Sequence, residues 1–239
     1  MKLTQRTVLL FFSLMIIGFA CKKGEIRPIE TDKNQPIQTD VEINCPELDS
    51  LPTAFIIEDP DPKNQAVSCR GLDYPDWKTS YYVLPYPIGT GYTVELNNCS
   101  SSFHAEGEPD ALATDFAMPI GSCITAARAG KVVFVEESGE DFKHPNNLII
   151  IEHLDKTFAQ YMHLTKDGAA VKVGDEVQQG QFIGLSGATG LAGYPHLHFI
   201  VTLGSWDYPY QGVPITFKNT FANRRGLKSK RTYYALSHD

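Results

Sequence analysis

From residue 81 onward the chain consists of short runs of β-branched and aromatic residues, separated from one another by glycine or proline. No segment in this part has the three-to-four-residue periodicity of an amphipathic helix. Short strands at regular spacing, joined by glycine-containing turns, are typical of β-sandwiches and β-barrels. The sequence therefore predicts an all-β domain, folded as an antiparallel barrel or sandwich.

Individual strands can be placed from the alternation of apolar and polar residues. Two short strands are predicted within residues 81–96. A strand, a turn at Gly130 and a second strand are predicted within 123–137, and Gly174 is predicted at the type II′ turn of a hairpin over 171–177. Further strands are predicted at 148–153, 157–164 and 181–186.

The segment GYPHLHFIV, residues 193–201, is predicted as a strand that carries two histidines. Side chains alternate between the two faces of a strand, so His196 and His198 should share one face while Leu197 points into the core. Two neighbouring imidazoles are costly to bury unless a metal, a carboxylate or water satisfies them. For an isolated pair, surface exposure would be the simpler interpretation.

The N-terminal residues are typical of an export signal. Lys2 and Arg6 precede an apolar run, too short to span a membrane comfortably, that ends in Ala20-Cys21. Residues 1–20 are therefore predicted to be a signal peptide, and Cys21 a lipidated cysteine that anchors the chain to a bacterial membrane. The alternative is a simple signal peptide cut nearby, with Cys21 incidental.

The rest of the chain divides by composition. Residues 21–50 are polar and proline-containing and are predicted to be a flexible tether; residues 51–80 are predicted to be an irregular extension, and residues 221–239 a basic C-terminal tail. A formal net charge of −7 gives no indication of nucleic-acid binding. Oligomeric state cannot be read from the sequence, and a monomer is the default expectation.

Four cysteines remain after Cys21, an even number that favours disulfides in an exported protein. Three pairings are compatible with the sequence, and a Cys45–Cys69 bridge is one of them. A zinc site of four cysteines is disfavoured because no two of them have the close spacing that such sites use.

Four segments in this order resemble the lysostaphin/LytM-type zinc peptidoglycan endopeptidases: FHAEGEPDALATDFAMPIGSCITAARAGKVV, LIIIEHLDKTFAQYMHL, VKVGDEVQQGQFIGLSGATG and YPHLHFIV. The resemblance extends roughly over residues 84–217. It implies that residues 81–220 form a LytM-like zinc peptidase domain, an antiparallel barrel or sandwich of the duplicated hybrid motif type.

The resemblance also implies roles for particular residues. His104, Asp115 and His198 would hold Zn²⁺, and His163 and His196 would be catalytic histidines that do not bind the metal. The chemistry would be metal-assisted hydrolysis of an amide bond in peptidoglycan stem peptides. The protein would be exported and lipid-anchored, facing the periplasm or the cell surface.

One feature departs from the shortest form of the family motif, in which the histidine precedes the aspartate by four residues. Here His104 precedes Asp115 by eleven, and three acidic residues lie between them: Glu106, Glu108 and Asp110. Asp115 is therefore the firmer assignment, and an acidic ligand in place of His104 is the alternative. Zinc's preference for imidazole favours His104.

The other histidines receive simpler interpretations. His153 ends an apolar strand and is either a cleft residue or a structural histidine, while His144 and His238 are expected to be solvated. The basic residues near the C-terminus are expected to form a soluble surface; they are Arg224, Arg225, Lys228, Lys230 and Arg231.

Two other functions compete with the enzyme. One is an inactive LytM-like domain that binds peptidoglycan or regulates another hydrolase, although the chain retains every expected ligand. The other is a carrier, since residues 171–184 resemble the hairpin of biotinyl and lipoyl domains. A carrier needs a modifiable lysine at that turn, and no lysine lies between Lys172 and Lys218.

Overall fold

The computed structural model describes residue 45, residues 58–63 and residues 69–237, all of which lie in one compact unit, 43–239. This part of the chain contains eleven strands, two short 3₁₀-helices and no α-helix. The helices are Trp77–Thr79 and Ser102–His104. The strands are β1 (Gly91–Leu96), β2 (Thr114–Ala117), β3 (Cys123–Thr125), β4 (Gly130–Glu136), β5 (Leu148–Glu152), β6 (Thr157–Met162), β7 (Leu164–Ala169), β8 (Glu176–Val177), β9 (Phe182–Ser186), β10 (Leu197–Leu203) and β11 (Arg231–Tyr234).

The strands form two sheets in which neighbouring strands are antiparallel. The larger has eight strands in the order β11-β1-β2-β10-β6-β5-β4-β8, and the smaller has the order β3-β9-β7. One hydrophobic core takes residues from both, for example Ile149 of β5 and Ile183 of β9. Because the two sheets enclose one core, the all-β antiparallel prediction is confirmed.

Strand β10 lies inside the larger sheet, and its side chains alternate strictly between the two faces. Leu197, Phe199 and Val201 are fully buried in the main core. His198 and Ile200 point to the opposite face, where Ile200 belongs to a second, smaller apolar cluster. The alternation therefore presents His198 on the face away from the main core, as the sequence predicts.

The neighbours of β10 bring other polar groups to that face. His198 is directly opposite Asp115 of β2 on one side and Met162 of β6 on the other. Phe116, which follows Asp115, is buried in the main core, so Asp115 must face the same way as His198. Pairing of β2 with β10 thus joins residues that are 83 positions apart in the chain.

The predicted hairpin over residues 171–177 is wrong. Residues 171–173 form no strand, and β8 pairs with β4 through Gly130 and Val177. The main-chain N–H of Gly174 donates to the carbonyl of Val132, so the turn joins the segment to the larger sheet. Burial of Val177 in the main core favours this pairing over a hairpin.

Two other differences from the predicted strands are present. Of the two strands expected within 81–96 only β1 is present, because the first segment makes an isolated bridge between Tyr82 and Phe217. Strand β7 was not predicted, since its Lys166, Asp167 and Gly168 interrupt the apolar pattern.

The C-terminal segment is not simply a basic tail, because it contains β11. This strand pairs with β1 at the edge of the larger sheet, and the side chain of its own residue Tyr233 is buried in the main core. The Tyr86 hydroxyl donates to the carbonyl of Tyr233. Charged residues on the exposed face of an edge strand obscured the pattern, since only one face of β11 is apolar.

The cysteines pair as Cys45–Cys123 and Cys69–Cys99, so the considered Cys45–Cys69 bridge is wrong.

The predicted signal peptide, the lipidated Cys21, almost all of the tether and His238 lie outside the described residues. Of the predicted irregular extension, residues 58–63 and 69–80 are described, with one 3₁₀-helix and no strand among them. Among the described residues, none of the helices has the length and hydropathy of a membrane-spanning segment.

Candidate metal centre and cleft

Three buried side chains from separate elements converge beside β10. His104 ends the second 3₁₀-helix, Asp115 lies in β2 and His198 in β10. The Asp115 Oδ1 atom is 3.3 Å from His104 Nε2 and 2.9 Å from His198 Nδ1. The three residues can offer ligand atoms that all lie within 4.8 Å of one another.

This set of donors fits a tetrahedral zinc ion. Zinc–nitrogen and zinc–oxygen bonds of about 2.0–2.1 Å place adjacent donors roughly 3.3 Å apart in a tetrahedron. Both distances from Asp115 Oδ1 are close to that value. Two imidazoles and one carboxylate are also donors that zinc commonly uses, leaving a fourth position free.

Two further histidines adjoin the same centre. The ring centroid of His163 is 4.6 Å from that of His196 and 5.8 Å from that of His198. Together these three imidazoles form a second group whose ligand atoms lie within 4.8 Å of one another. All five residues that the sequence singles out for the site are therefore adjacent in the structure.

Main-chain carbonyls orient the rings of His163 and His196. Nδ1 of His163 is 2.7 Å from the carbonyl oxygen of Thr189, and Nδ1 of His196 is 2.8 Å from that of Tyr194. A carbonyl can only accept, so each Nδ1 carries the proton and each neutral ring keeps an unprotonated Nε2. These contacts could not be found from the sequence, because they are made by backbone atoms.

His163 has a strained main chain. Its φ of 66° lies in the left-handed region, which is uncommon for a residue other than glycine. Its N–H donates to Asn146 Oδ1 at 3.0 Å, and this contact holds the residue in place. No sequence signal pointed to Asn146.

In Asp115 and His198, burial and hydrogen bonding shift the pKa in opposite directions. Burial raises the pKa of Asp115, but hydrogen bonds with His104 and His198 outweigh it and hold this pKa well below its usual range. Burial lowers the pKa of His198, but Asp110 and Asp115 outweigh it and raise the pKa to about 10. The centre thus favours negative charge on Asp115, as a cation site requires.

The pKa values of His163 and His196 are lowered, in contrast to that of His198. Burial, followed by the proximity of His198 and His196, lowers the pKa of His163 to about 3. Burial also lowers the pKa of His196, although Asp115 opposes the shift. Both rings are therefore neutral at pH 7, and each can accept a proton at Nε2.

Asp110 is a further acidic group in contact with His198. Its Oδ1 lies 3.3 Å from His198 Nε2, and the Tyr210 hydroxyl donates to the same oxygen. Burial raises the pKa of Asp110, but the hydrogen bonds with His198 and Tyr210 outweigh it and lower the pKa. The sequence raised Asp110 only as a replacement for His104; here it contacts His198 instead.

An open cleft of about 520 Å³ leads to this centre. Its walls are mainly aromatic and aliphatic, and Phe103, Leu191 and Tyr208 are largely exposed along it. No lysine or arginine is among the described residues that line it. Such a cleft can take an extended, largely uncharged chain past the polar centre.

The remaining described histidines lie outside the cluster. His144 is exposed at the edge of the cleft. His153 is buried elsewhere, with Nδ1 2.9 Å from the Ala129 carbonyl oxygen and its ring edge-on to Tyr82. His153 is therefore a structural histidine rather than a cleft residue.

Comparison with known families agrees with this geometry. The model of peptidase family M23 matches residues 111–208, which include Asp115, His163, His196 and His198. The chain contains a peptidase family M23 domain. The resemblance to lysostaphin/LytM-type peptidases is thereby confirmed, whereas His104 lies before the matched residues of the M23 domain.

Several proteins share sequence with the M23 domain. The chain is 32% identical to lysostaphin from Staphylococcus staphylolyticus over 59% of its own length and 25% of that protein. It is 44% identical to the peptidoglycan DD-endopeptidase ShyB from Vibrio cholerae over 37% of its own length and 19% of that protein. The crystal structure of a zinc-containing peptidase from Vibrio cholerae aligns with 32% identity and a TM-score of 0.40, over 51% of this chain and 37% of that one. The chain thus spans a quarter or less of the two curated relatives.

Proposed function

We propose that the protein is a zinc-dependent endopeptidase that hydrolyses peptide cross-links in bacterial peptidoglycan. The observation that carries the proposal is the convergence of His104, Asp115 and His198 beside the free Nε2 atoms of His163 and His196. This arrangement combines a metal site with two proton acceptors at the base of one open cleft. Four of its five residues, all except His104, lie within the residues that match peptidase family M23, and the similar proteins include a peptidoglycan DD-endopeptidase.

His104, Asp115 and His198 are the proposed zinc ligands. A zinc ion held there would act as a Lewis acid towards the scissile carbonyl and increase the acidity of a water molecule. The negative charge of Asp115 favours this set over the three-imidazole set of His163, His196 and His198, because it offsets part of the charge of a divalent cation.

His163 and His196 are the proposed catalytic histidines. The Thr189 and Tyr194 carbonyls hold the Nδ1 protons, so Nε2 of either ring is available as a base. One of the two rings removes the proton of the attacking water at Nε2. The imidazolium formed in this way donates that proton in a hydrogen bond to the oxygen that becomes negative in the tetrahedral intermediate, and then transfers it to the amine as the C–N bond breaks.

The proposed substrate is a stem peptide in extended conformation. The cleft is open, and the exposed apolar side chains of Phe103, Leu191 and Tyr208 line it. These surfaces suit a peptide backbone with small side chains better than a highly charged polymer, since neither lysine nor arginine is among the described lining residues.

We also propose that the chain is exported and lipid-anchored, with residues 1–20 as the signal peptide, Cys21 as the lipidated residue and residues 21–50 as the tether. The two disulfides support an oxidising compartment. Mass spectrometry of the N-terminal peptide from expressing bacteria tests this, with Cys21→Ala as control. An unmodified Cys21 in the mature protein would refute lipid anchoring.

The enzyme proposal is tested on the full chain by metal analysis and peptidoglycan digestion. We expect one zinc per chain, new peptide termini released from cross-linked peptidoglycan, and loss of both in His104→Ala and Asp115→Ala. Peptidoglycan with glycine bridges and peptidoglycan with direct cross-links should be digested in parallel, with product masses identifying the bond. A folded wild-type chain that binds zinc but releases no peptide from either wall would refute the enzymatic function.

A further inference from the structure

We infer that Asp110 is a positioning residue for the metal centre: it accepts a hydrogen bond from His198 Nε2 and thereby leaves His198 Nδ1 free to bind zinc. The inference rests on the proposed function. It assigns a role to a residue that belongs to neither converging group of ligand atoms in the structure.

The two nitrogens of His198 face different carboxylates. Nδ1 is 2.9 Å from Asp115 Oδ1, on the side where His104 Nε2 also lies. Nε2 is 3.3 Å from Asp110 Oδ1, on the other side of the ring. A zinc ion bound at Nδ1 would take the place of the proton that faces Asp115, and the ring would then carry a single proton, on Nε2. The Asp110 carboxylate accepts that proton in a hydrogen bond, while the Nδ1 lone pair faces Asp115 and His104.

Asp110 is itself held in place. The Tyr210 hydroxyl donates to the same carboxylate oxygen that contacts His198. Tyr210 follows β10 in the chain, and Asp110 lies in the loop before β2. The contact therefore links the segments that adjoin the two strands carrying His198 and Asp115. The side chain of Asp110 is only 22% exposed, which limits competition from water for the His198 N–H.

Main-chain hydrogen bonds and a disulfide hold the loop that carries Asp110. The Cys99 N–H donates to the Ala111 carbonyl at 2.7 Å, and Cys99 is disulfide-bonded to Cys69. The Ala113 N–H donates to the carbonyl of Asp110 itself at 2.9 Å. A ligand-orienting group is effective when its own position is set before the metal binds, and these contacts provide that.

This assignment also explains the long interval between His104 and Asp115. The additional residues form the turns that bring Asp110 to the far side of His198. The longer spacing between His104 and Asp115 therefore provides Asp110 as a hydrogen-bond partner for His198, while His104, Asp115 and His198 remain the three proposed ligands.

The test measures zinc affinity of the full chain by competition with a chelator of known affinity, with Zn²⁺ alone as the probe. Loss of a hydrogen-bond partner of a ligand typically weakens metal binding by about 10- to 100-fold. We expect Asp110→Ala to raise the zinc Kd by that factor, Asp110→Asn by less because an amide oxygen still accepts, and Tyr210→Phe by less again. Glu108→Ala, an exposed acid on the same loop, is the matched control and should leave Kd unchanged.

A second measurement separates positioning from general stabilisation. Nitrogen-15 imidazole spectra of the zinc-loaded wild type should show His198 protonated at Nε2, and Asp110→Ala should alter that resonance while His163 and His196 keep theirs. If Asp110→Ala fails to fold, the isosteric Asp110→Asn decides by the same two measurements.

The outcomes are distinguishable. A folded wild type that does not bind zinc refutes the proposed function, whatever the variants do. A wild type that binds zinc, together with folded Asp110 variants whose Kd is within twofold of it, overturns the positioning role alone. Complete loss of zinc in Asp110→Asn, as in Asp115→Ala, would also overturn it, because Asp110 would then be a ligand.

Discussion

His153 offers a quantitative test of how burial affects this fold at acidic pH. The side chain is almost fully buried, Nδ1 contacts the Ala129 carbonyl oxygen, and Nε2 has no partner among the described residues. Burial is the main cause that lowers the pKa of His153 to about 4. Protonation would place a charge beside Arg128, which lowers the pKa further.

The sign and size of the effect follow from proton linkage. The folded-state pKa is below the value of about 6.5 expected in the unfolded chain, so the unfolded state binds more protons between pH 6.5 and pH 4. The free energy of unfolding must therefore fall as the pH falls through this interval. Each pH unit corresponds to about 1.4 kcal/mol, so the loss attributable to His153 is about 2 kcal/mol between pH 7.5 and pH 5.

The assay is urea unfolding of the wild type and His153→Gln at these two pH values, with the disulfides intact and a chelator present so that metal binding does not contribute. The difference between the two proteins should change by about 2 kcal/mol, with the wild type losing more stability on acidification. Leu154→Ala, at a fully exposed neighbouring position, is the control and should follow the wild type. Parallel pH dependence of wild type and His153→Gln, within about 0.5 kcal/mol, would refute the reasoning.

Two further predictions concern catalysis and the disulfides. His163→Ala and His196→Ala should each lower kcat on cross-linked peptidoglycan about 100-fold or more while retaining zinc, because in the proposed mechanism the rings accept protons without binding the metal; loss of zinc in either variant would instead make that histidine a ligand. Replacement of both Cys69 and Cys99 by alanine should lower the free energy of unfolding by about 3.5 kcal/mol, from the chain entropy of a loop with a sequence separation of 30. Urea unfolding measures this, and a loss below about 1 kcal/mol would show that the loop remains ordered without the bridge.

The all-β class and the orientation of the histidine strand could both be predicted from local pattern. Leu197, His198 and Phe199 alternate between faces because the side-chain period of a strand is two, whatever its partners are. The burial of Phe116 likewise places Asp115 on the opposite face of β2. Such local rules needed no knowledge of the fold.

Pairing between distant segments was less predictable. The hairpin expected around Gly174 is absent. Val177 pairs with β4 instead, and this pairing buries its side chain in the main core. Strand β11 was missed because an edge strand needs only one apolar face. The cysteine partners were open for the same reason, since spacing alone does not determine which thiols meet.

Residue types and strand alternation show which side chains are available for chemistry and which face of a strand each occupies. How these side chains meet depends on the tertiary structure: β2 and β10 pair in the register that places Asp115 opposite His198, and the second 3₁₀-helix brings His104 to the same carboxylate oxygen. The carbonyls that orient His163 and His196, and the contact from Asp110 to His198, arise from the same packing. Hydrogen bonds of this kind act over about 3 Å between segments far apart in the chain, so no local sequence pattern encodes them.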